Sequence, residues 1–546
     1  MQYVVPFIVA MVVAMAWLPL LKKFAARWGI LDQPDVRKVH AAPIPRIGGL
    51  AMAMAVLVSA LIAIDLQPQD RWFLVAAGVL VAFGALDDRF DLDYRIKFVG
   101  QLVAVGIVVF LGDVQVRAIT LDDRLLLPGW ISLPLTIFFL VGITNAVNLA
   151  DGLDGLAGGT TFLCLCAVAL LSSVGDHNAG TALCLAFAGA ILGFLRFNTY
   201  PATVFMGDAG SQLLGFTIGV LSIRATQSLA TEVSAAIPIL LLAIPILDTL
   251  SVMVQRIGEG RSPFSPDKNH IHHKLLALGF DHHEAVMVIY SVQAALFVAA
   301  YFLRYESDPT ILAFVTTFFV LSIGAMQVAA RSGWRLRGRP AGVESPLSRM
   351  VAVLQQPSLL PRYSYLAIVA SLTVYDGLIV LRSSALSNEV QLLIVGLLAL
   401  SIVLLSILRS GPLHPTEKAI LYVTATVLVY LDGLVLPAPN RLVTILTWGT
   451  VSIAGVATAM RLRLHRDRRF QVTPLDLIVL FMALVVPSLL GNFALPQGGA
   501  LTIAKLVILF YAIEVLLSRV EGRTVWVRLA VISTLSGLAL RSLMPF

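Results

Sequence analysis

The sequence is poor in charge and in cysteine. Of its 546 residues only 13% are Asp, Glu, Lys or Arg. Soluble globular proteins carry about 25% of such residues, so a water-facing surface of ordinary composition is excluded. The chain has 3 cysteines, and Cys164, Cys166 and Cys184 all lie in apolar runs without metal-binding partners nearby. We therefore predict buried packing residues and not a disulfide framework or zinc ligands.

Two other features are missing. No basic tail accompanies the formal net charge of +7, so the charge gives no reason to predict nucleic-acid binding. The N-terminal apolar run has no small-residue cleavage site and leads straight into a basic loop. We expect this run to form the first membrane span and not a removed signal peptide.

What the sequence does contain is a long series of apolar runs. Hydrophobic residues make up 58% of the chain, and the mean hydropathy is +0.88. Because a spanning helix needs about 20 apolar residues, the runs predict an all-α, polytopic transmembrane helix bundle with about eleven spans in a first part and about seven in a second. The predicted spans are 3–22, 48–65, 71–86, 98–112, 131–147, 158–174, 179–197, 210–224, 233–255, 285–303 and 311–330, then 364–381, 390–408, 419–437, 442–460, 474–490, 500–517 and 525–543.

The distribution of basic residues predicts the orientation of these spans. Six lysines and arginines crowd the first loop, between Lys22 and Arg46, whereas the second loop has only Arg71 at its edge. The positive-inside rule therefore makes the first loop cytoplasmic. Counting alternately from there puts four further polar loops on the same side, and these are 87–97, 145–158, 197–209 and 256–284.

An arginine-rich segment divides the chain. Residues 331–363 contain six arginines, several prolines and no long apolar run, so we predict a cytoplasmic linker between a domain at 1–330 and a multi-span domain at 364–546. The second domain carries Asp376 and Asp432 at similar depths in alternate spans. An acid inside the membrane suggests a functional site, but pairing with Arg382 and Arg441 is an equally good interpretation. The role of this domain stays open.

The stretch NAVNLADGLDGLAGG is the most polar interruption of the apolar first part. Asn145, Asn148, Asp151 and Asp154 recur at every third residue, and four glycines leave the backbone free to bend and to approach a ligand closely. We interpret the stretch as part of a site. The alternative is a polar loop that only caps two membrane helices.

A second polar stretch, LDDRFDLDYRIK, follows the third span. Asp87 and Asp88 are the first of four carboxylates within seven residues, and Lys97 closes the stretch. Repelling acids so close together are destabilising unless a cation or a basic side chain lies between them, which indicates a divalent ion or a catalytic base. The alternative is a solvated helix end with Asp91 paired to Arg95.

Two later motifs suit phosphate chemistry. In FMGDAGS, Asp208 stands between glycines just before a helix, where free backbone N–H groups suit phosphate oxygens and a carboxylate suits Mg²⁺. In PDKNHIHHK, His270, His272 and His273 have lysines and not cysteines as neighbours. Binding of phosphate or sugar oxygens is favoured there over zinc, which remains an alternative.

Two remaining stretches are less distinctive. His40 and Arg46 belong to HAAPIPRIGG, a basic, proline-stiffened turn ahead of the second span that would attract anionic lipid headgroups. Asp248 lies in the cytoplasmic third of its span with Arg256 two turns later, so a structural pair is as plausible as a role in a site.

Together these motifs resemble the polyprenyl-phosphate N-acetylhexosamine-1-phosphate transferase family. The matching stretches are HAAPIPRIGG, LDDRFD, NAVNLADGLDGLAGG, FMGDAGS and PDKNHIHHKLLALG, in the family's order, within about residues 1 to 330. The HIHH form is similar to the bacterial undecaprenyl-phosphate N-acetylglucosamine branch, and the resemblance does not extend to the C-terminal spans.

The resemblance implies a reaction in which undecaprenyl phosphate attacks the β-phosphorus of a UDP-sugar and releases UMP, with the site facing the cytoplasm at the bacterial inner membrane. A homodimer is a further expectation, and membrane lipid but no nucleic acid is an expected partner. The alternatives are another UDP-N-acetylhexosamine, a muramyl-pentapeptide donor or, in a different class, a transporter.

The resemblance also assigns roles by position. It implies Mg²⁺, with Mn²⁺ as the alternative ion, held by Asp208 and Asn148, and it implies that Asp87 with Asp88 orients or deprotonates the lipid phosphate. Expected to bind the lipid phosphate are Lys97, His40 and Arg46. Expected to bind the nucleotide sugar are Asn145, Asp151, Asp154, His270, His272 and His273.

Overall fold

The computed structural model is almost entirely helical. It describes residues 3–33, 42–121, 123–172, 178–227, 232–262, 269–332, 360–383, 386, 388–407, 415–435, 441–464, 474, 477–478, 481, 499–517 and 524–543. Within these ranges nine helices are long and apolar enough to cross a membrane. The predicted fold class, an all-α polytopic membrane protein, is confirmed. The predicted span 474–490 lies mostly outside the described residues.

The chain forms two compact units, one made of Met1–Arg339 with Thr473–Ile478 and the other of Pro340–Val472 with Val479–Phe546. The first unit contains α1 Val4–Trp28, α2 Gly48–Ala63, α3 Pro68–Phe90, α4 Tyr94–Gly106 with a π-helical extension Ile107–Leu111, α5 Gly129–Ala150, α6 Leu156–Ser172, α7 Asn178–Asn198, α8 Gly207–Gln227, α9 Ile237–Leu241, α10 Ala243–Gly258, α11 Ile271–Ala277, α12 His282–Leu303 and α13 Asp308–Arg331. Two small hairpins join β1 Leu31–Asp32 to β2 Ile44–Pro45 and β3 Ala118–Thr120 to β4 Arg124–Leu126.

Helix α8 is the centre of the first unit. It packs against α2, α3, α5 and α6 and is buried along almost its whole length. Small residues permit this packing, since a Cβ on Gly84 of α3 would lie 2.4 Å from the Cα of Ala209, and a Cβ on Gly49 of α2 would lie 2.2 Å from the backbone N of Gly210. The first turn of α8 is therefore in direct contact with the backbones of two neighbouring helices.

The structure corrects one predicted span. Residues 233–255 do not form one helix, because α9 ends at Leu241 and α10 begins at Ala243. Pro238 and Pro245 flank the break, and a proline removes a backbone hydrogen bond and clashes with the preceding turn. Asp248 therefore lies near the start of a separate helix.

The second unit contains α14 Leu360–Arg382, α15 Asn388–Ile407, α16 Pro415–Tyr430 with a π-helical extension Leu431–Val435, α17 Arg441–Leu464, α18 Gly499–Leu517 and α19 Thr524–Leu543. Its intramembrane acids are partnered. Asp432 contacts Arg382 and Lys505, each at 2.5 Å, and Asp376 accepts a hydrogen bond from Thr534 Oγ1 at 3.3 Å. The pairing interpretation thus holds for Asp432 with Arg382.

Candidate functional site

Three of the polar stretches meet at the beginning of α8. Asp208 is the second residue of this helix, and its Oδ1 accepts a hydrogen bond from Asn148 Nδ2 of α5 at 2.7 Å. Lys97 of α4 places its Nζ 3.3 Å from Asp208 Oδ2 and 2.5 Å from Asp87 Oδ2 at the end of α3. Four predicted site residues that are far apart in the sequence therefore form one cluster, in which an ammonium group bridges two carboxylates.

Asp87 and Asp88 are neighbours in the last turn of α3 but point to different partners. The helix runs to Phe90, four residues beyond the predicted span, and ends with Asp91 in the left-handed conformation at φ 50°. Asp87 receives the backbone N–H of Leu92 at 2.7 Å and the ammonium of Lys97. Asp87 is therefore the one of the two that takes part in the charged cluster.

Asp88 instead caps helix α8. Its two oxygens accept hydrogen bonds from the backbone N–H groups of Asp208, at 2.9 Å, and Ala209, at 3.1 Å. Gly207 permits this approach, since it has φ +69° and a Cβ there would lie 2.3 Å from Asp88 Oδ2. A carboxylate at a helix N-terminus satisfies N–H groups that have no partner within the helix. The structure thus gives Asp87 and Asp88 different partners, a distinction that the sequence does not make.

The carboxyl groups of the cluster are electrostatically coupled. Burial, and then a hydrogen bond to Asp208, raises the pKa of Asp87 to about 6, although Lys97 opposes the shift. Burial disfavours ionisation of Asp208, but hydrogen bonds from Asp87 and Asn148 hold its pKa below the usual value. Burial raises the pKa of Asp88 to about 7, although the hydrogen bonds that it accepts from two backbone N–H groups lower this pKa. Of these three carboxyl groups, Asp208 is thus the one whose ionised form is favoured most.

Asn145 lies beneath this cluster in a buried amide network. Its Nδ2 donates to Gln101 Oε1 at 2.8 Å and to the carbonyl of Val141 at 2.8 Å, and Gln101 also donates to Gln212 Oε1 at 3.2 Å. The sequence prediction missed Gln101 and Gln212. Their signal was available, because an amide side chain inside an apolar span is costly unless it is hydrogen-bonded.

The glycine-rich loop between α5 and α6 is held by three neighbours. Asn198 accepts the backbone N–H of Gly155 at 2.9 Å, and Tyr290 donates its hydroxyl to the Gly155 carbonyl at 2.5 Å. Asp154 Oδ2 accepts the backbone N–H of Ala202 at 2.9 Å. Asp154 therefore connects this loop to the segment before α8, and its predicted role toward a nucleotide sugar remains a prediction.

Asp151 lies on the same loop beside the charged cluster. Burial raises its pKa to about 7, and the nearby carboxylates of Asp208, Asp154 and Asp88 raise it further. A cation or a hydrogen-bond donor at this position would therefore be strongly favoured.

The histidine motif reaches the glycine-rich loop from the other side. The rings of His270 and His272 are stacked with centroids 5.7 Å apart, and His273 lies 4.3 Å from His272. A Cβ on Gly152 would lie 2.3 Å from His272 Cε1, so this ring packs against the loop next to Asp151. Burial, with His273 nearby, lowers the pKa of His272 to about 4. The ring is therefore uncharged at neutral pH.

Arg46 lies close to the cluster, and His40 is not described. Arg46 forms an ion pair with Asp32, and its positive charge favours ionisation of Asp88. Its backbone bridges to Phe205, just before α8. His40 lies outside the described residues.

Asp208 and Asp87 offer carboxylate oxygens, which are ligands that Mg²⁺ prefers. Asn148 presents its Nδ2 to Asp208, so its amide would have to turn over for its oxygen to bind an ion. A separate group at Asp281, His283 and Glu284 brings one donor atom of each residue within 4.8 Å. Asp281 and Glu284 are, however, the reciprocal capping box of α12, so their proximity has a structural explanation.

Comparison with known proteins identifies relatives of this chain. Residues 71–226 match the model of the family described as glycosyl transferase family 4. The chain is 36% identical over 337 residues to a Bacillus subtilis (strain 168) protein named probable undecaprenyl-phosphate N-acetylglucosaminyl 1-phosphate transferase, and this alignment covers 61% of the chain and 92% of the relative.

Two further relatives have related names. A Mycolicibacterium smegmatis protein named decaprenyl-phosphate N-acetylglucosaminephosphotransferase is 38% identical over 309 residues, which cover 51% of this chain and 75% of the relative. An Escherichia coli (strain K12) protein named undecaprenyl-phosphate alpha-N-acetylglucosaminyl 1-phosphate transferase is 34% identical over 282 residues, which cover 50% of this chain and 76% of the relative. The family model lies wholly within the first unit and contains the clustered residues.

Proposed function

The chain belongs to glycosyl transferase family 4, and we propose that it transfers N-acetylglucosamine 1-phosphate from a UDP-sugar to undecaprenyl phosphate. The names of the relatives support both the sugar phosphate and the polyprenyl phosphate acceptor. The cluster of Asp87, Lys97, Asn148 and Asp208 carries the proposal, since it combines an ammonium group, two carboxyl groups and an amide at one helix N-terminus.

The reaction joins two anions. An oxygen of the lipid phosphate attacks the β-phosphorus of the UDP-sugar, a new P–O bond forms, and the bond to the UMP oxygen breaks, so that UMP leaves with the electron pair. A phosphate monoester has a second pKa of about 6, so much of the acceptor is already a dianion at neutral pH. The main requirement is therefore charge neutralisation and alignment of two phosphates that repel each other.

Lys97 is suited to hold the lipid phosphate. Its ammonium already bridges Asp87 and Asp208, which places a positive charge between two acidic side chains. We assign Asp87 to the orientation or deprotonation of the lipid phosphate, because its oxygens lie in the cluster, whereas both oxygens of Asp88 are used by the backbone of α8. Arg46, beside the cluster, and His40 complete the proposed lipid-phosphate group.

We propose Mg²⁺ as the ion, with Mn²⁺ as the alternative, because carboxylate oxygens lie at this helix start. Asp208 and Asn148 would hold the ion, which would supply additional neutralisation of the diphosphate when bound. The nucleotide sugar is assigned to the side of the glycine-rich loop, where the His272 ring packs beside Asp151. The residues proposed to bind the nucleotide sugar are Asn145, Asp151, Asp154, His270, His272 and His273.

The placement of the polar groups supports an enzyme over a transporter in the first unit. Asp87, Asn148 and Asp208 lie at helix ends and not in the middle of spans. The positive-inside rule puts these ends in the cytoplasm, where nucleotide sugars are available, and the proposed location is the bacterial inner membrane. A homodimer is compatible with this proposal and stays a prediction.

The test is UMP release by the purified full-length protein from UDP-N-acetylglucosamine, with and without undecaprenyl phosphate and Mg²⁺. The proposal expects release only when both are added, together with one lipid-linked diphosphate sugar for each UMP. Activity only with a different UDP-N-acetylhexosamine or with a muramyl-pentapeptide donor would replace the sugar assignment. Failure with every donor would contradict the proposed function.

A further inference from the structure

A buried carboxylate outside the charged cluster contacts the histidine motif. Asp248, on α10, is only 4% exposed. Its Oδ2 lies 2.8 Å from Nδ1 of His270, and its Oδ1 accepts the backbone N–H of Ile271 at 2.6 Å. Ile271 is the first residue of α11, and His270 is its N-cap. The Asp248 side chain thus contacts both the ring of His270 and the first backbone N–H group of α11.

This contact determines where His270 carries its proton. An ionised carboxylate can only accept hydrogen bonds, so Nδ1 of His270 must be the donor. In a neutral imidazole the other nitrogen, Nε2, is then an acceptor, and in a charged imidazole it is a second donor. In both states the carboxylate keeps the Nδ1 side of the ring directed at α10 and leaves Nε2 for another partner.

His270 is connected to the glycine-rich loop through the ring of His272. Its ring is stacked nearly parallel to that of His272, with 6° between the planes. His272 in turn lies against Gly152, where a Cβ would come within 2.4 Å of Nε2. A shift of α11 would therefore move a ring that borders the backbone next to Asp151.

We propose that Asp248 is a positioning residue of the site: it fixes the tautomer of His270 and the start of α11, and it thereby holds His272 against the loop that carries Asp151. The inference rests on the proposed function, because it places these histidines on the nucleotide-sugar side. Asp248 is not assigned a contact with substrate, and Arg256, the partner considered from the sequence, is not needed for this role.

The variant Asp248→Asn tests the proposal because it keeps the size of the side chain. Its single amide oxygen can accept the Ile271 N–H, and its amide nitrogen then faces His270 as a donor. Nδ1 must become the acceptor, so the neutral ring carries its proton on Nε2. We expect kcat/KM for UDP-N-acetylglucosamine to fall about 10- to 100-fold, the range found when the carboxylate partner of a metal-binding histidine is removed, with the KM for undecaprenyl phosphate unchanged.

The matched control is Asp281→Asn, the same substitution at the N-cap of α12, where asparagine caps as well as aspartate. The control should keep the wild-type kcat/KM for both substrates. If Asp248→Asn lowers the melting temperature but leaves kcat/KM for the nucleotide sugar at the wild-type value, Asp248 supports the fold only and the proposal is wrong.

Nitrogen NMR of ¹⁵N-histidine-labelled full-length protein in nanodiscs provides a readout that does not depend on activity. The His270 signals are assigned by their loss in His270→Gln. The proposal expects Nδ1 of His270 to be protonated in the wild type. In Asp248→Asn it expects Nε2 to be protonated and Nδ1 to be unprotonated. An unprotonated Nδ1 in the wild type would overturn the proposal. If the wild type makes no lipid product, the proposed function fails, and the tautomer still decides whether Asp248 positions His270.

Discussion

The carboxylate of Asp88 binds the backbone N–H of Asp208 at 2.9 Å, so one aspartate fixes the helix end from which the other projects. The second oxygen of Asp88 binds the next backbone N–H, that of Ala209. Two acidic motifs that are separated by 120 residues are thereby joined through a backbone contact, in addition to the hydrogen bond between the carboxyl groups of Asp87 and Asp208. Asp208 contacts Lys97 in the charged cluster, whereas Asp88 acts on that cluster through the backbone of α8.

Asp88→Ala should reduce activity by displacing Asp208. Loss of an N-cap costs about 0.5 to 2 kcal/mol of stability, and here the cap also sets the direction of a site residue. UMP release should therefore fall much more than the melting temperature implies. Asp281→Ala removes the N-cap of α12 and should lower stability comparably with near-normal activity. Equal loss of activity in the two variants would contradict the positioning role of Asp88.

Asp208→Asn should abolish turnover at ordinary Mg²⁺ concentration. A neutral amide binds a divalent cation less well amid several carboxylates, and it also weakens the contact with Lys97. We expect a loss of about 10²- to 10³-fold or more in kcat, as for removal of one electrostatic contact to the transition state. The measurement is UMP release over a range of Mg²⁺ concentrations. A variant with a near-normal rate and normal Mg²⁺ dependence would exclude Asp208 as a ligand.

Gly152→Ala should weaken binding of the nucleotide sugar. The added Cβ would lie 2.3 Å from Cε1 of His272, so either the loop or the ring must move. We expect a higher KM for UDP-N-acetylglucosamine, measured by initial rates at saturating undecaprenyl phosphate. Gly142→Ala is the control, since nothing lies within 4 Å of a Cβ at that position on α5. An unchanged KM in Gly152→Ala would mean that the contact between loop and ring has no role in binding.

Much of this site could be predicted from the sequence, because its residues are polar groups in an apolar chain. Asp87, Lys97, Asn148 and Asp208 all belong to polar stretches of this kind, and in the structure they form one cluster. The amide network around Gln101 was missed because single amides within spans lack the density of the polar loops.

Other features depend on tertiary contacts and could not be predicted. The sequence does not decide the role of Asp248, because its partners lie at the start of α11 and not on its own helix. The different roles of Asp87 and Asp88 depend on which side of α3 faces the start of α8. The break between α9 and α10 lies inside a continuous apolar run, so apolar content alone predicts one span there, and the two prolines that flank the break are its only local signal.

His272 should make the stability of the protein depend on pH. Its pKa is about 4 in the folded protein and about 6.5 in an unfolded chain, so the unfolded state binds more protons between these values. The contribution of neutral His272 to the free energy of unfolding is therefore fully present above about pH 6.5 and is lost as the pH falls toward 4. At pH 5 the cost relative to a non-titrating side chain is about 2 kcal/mol.

The test compares the melting temperatures of the wild type and His272→Gln in detergent at pH 7.5 and pH 5. All other titrating groups are shared by the two proteins, so the difference between them isolates His272. The wild type should lose more stability than the variant on acidification. Parallel shifts of the two melting temperatures would show that folding does not lower the pKa of His272.

Truncation after residue 340 should leave the transferase activity intact. The compact unit that contains the site is made of Met1–Arg339 with Thr473–Ile478, so the truncation removes only that short second segment from it. An alignment that covers 92% of the Bacillus subtilis relative uses only 61% of this chain. The intramembrane acid Asp432 of the second unit is paired with Arg382 and Lys505, which belong to the same unit. The measurement is formation of the lipid-linked product by membranes that contain equal amounts of the full-length and shortened proteins. A shortened protein that inserts and folds but makes no product would show that residues 341–546 are required for catalysis.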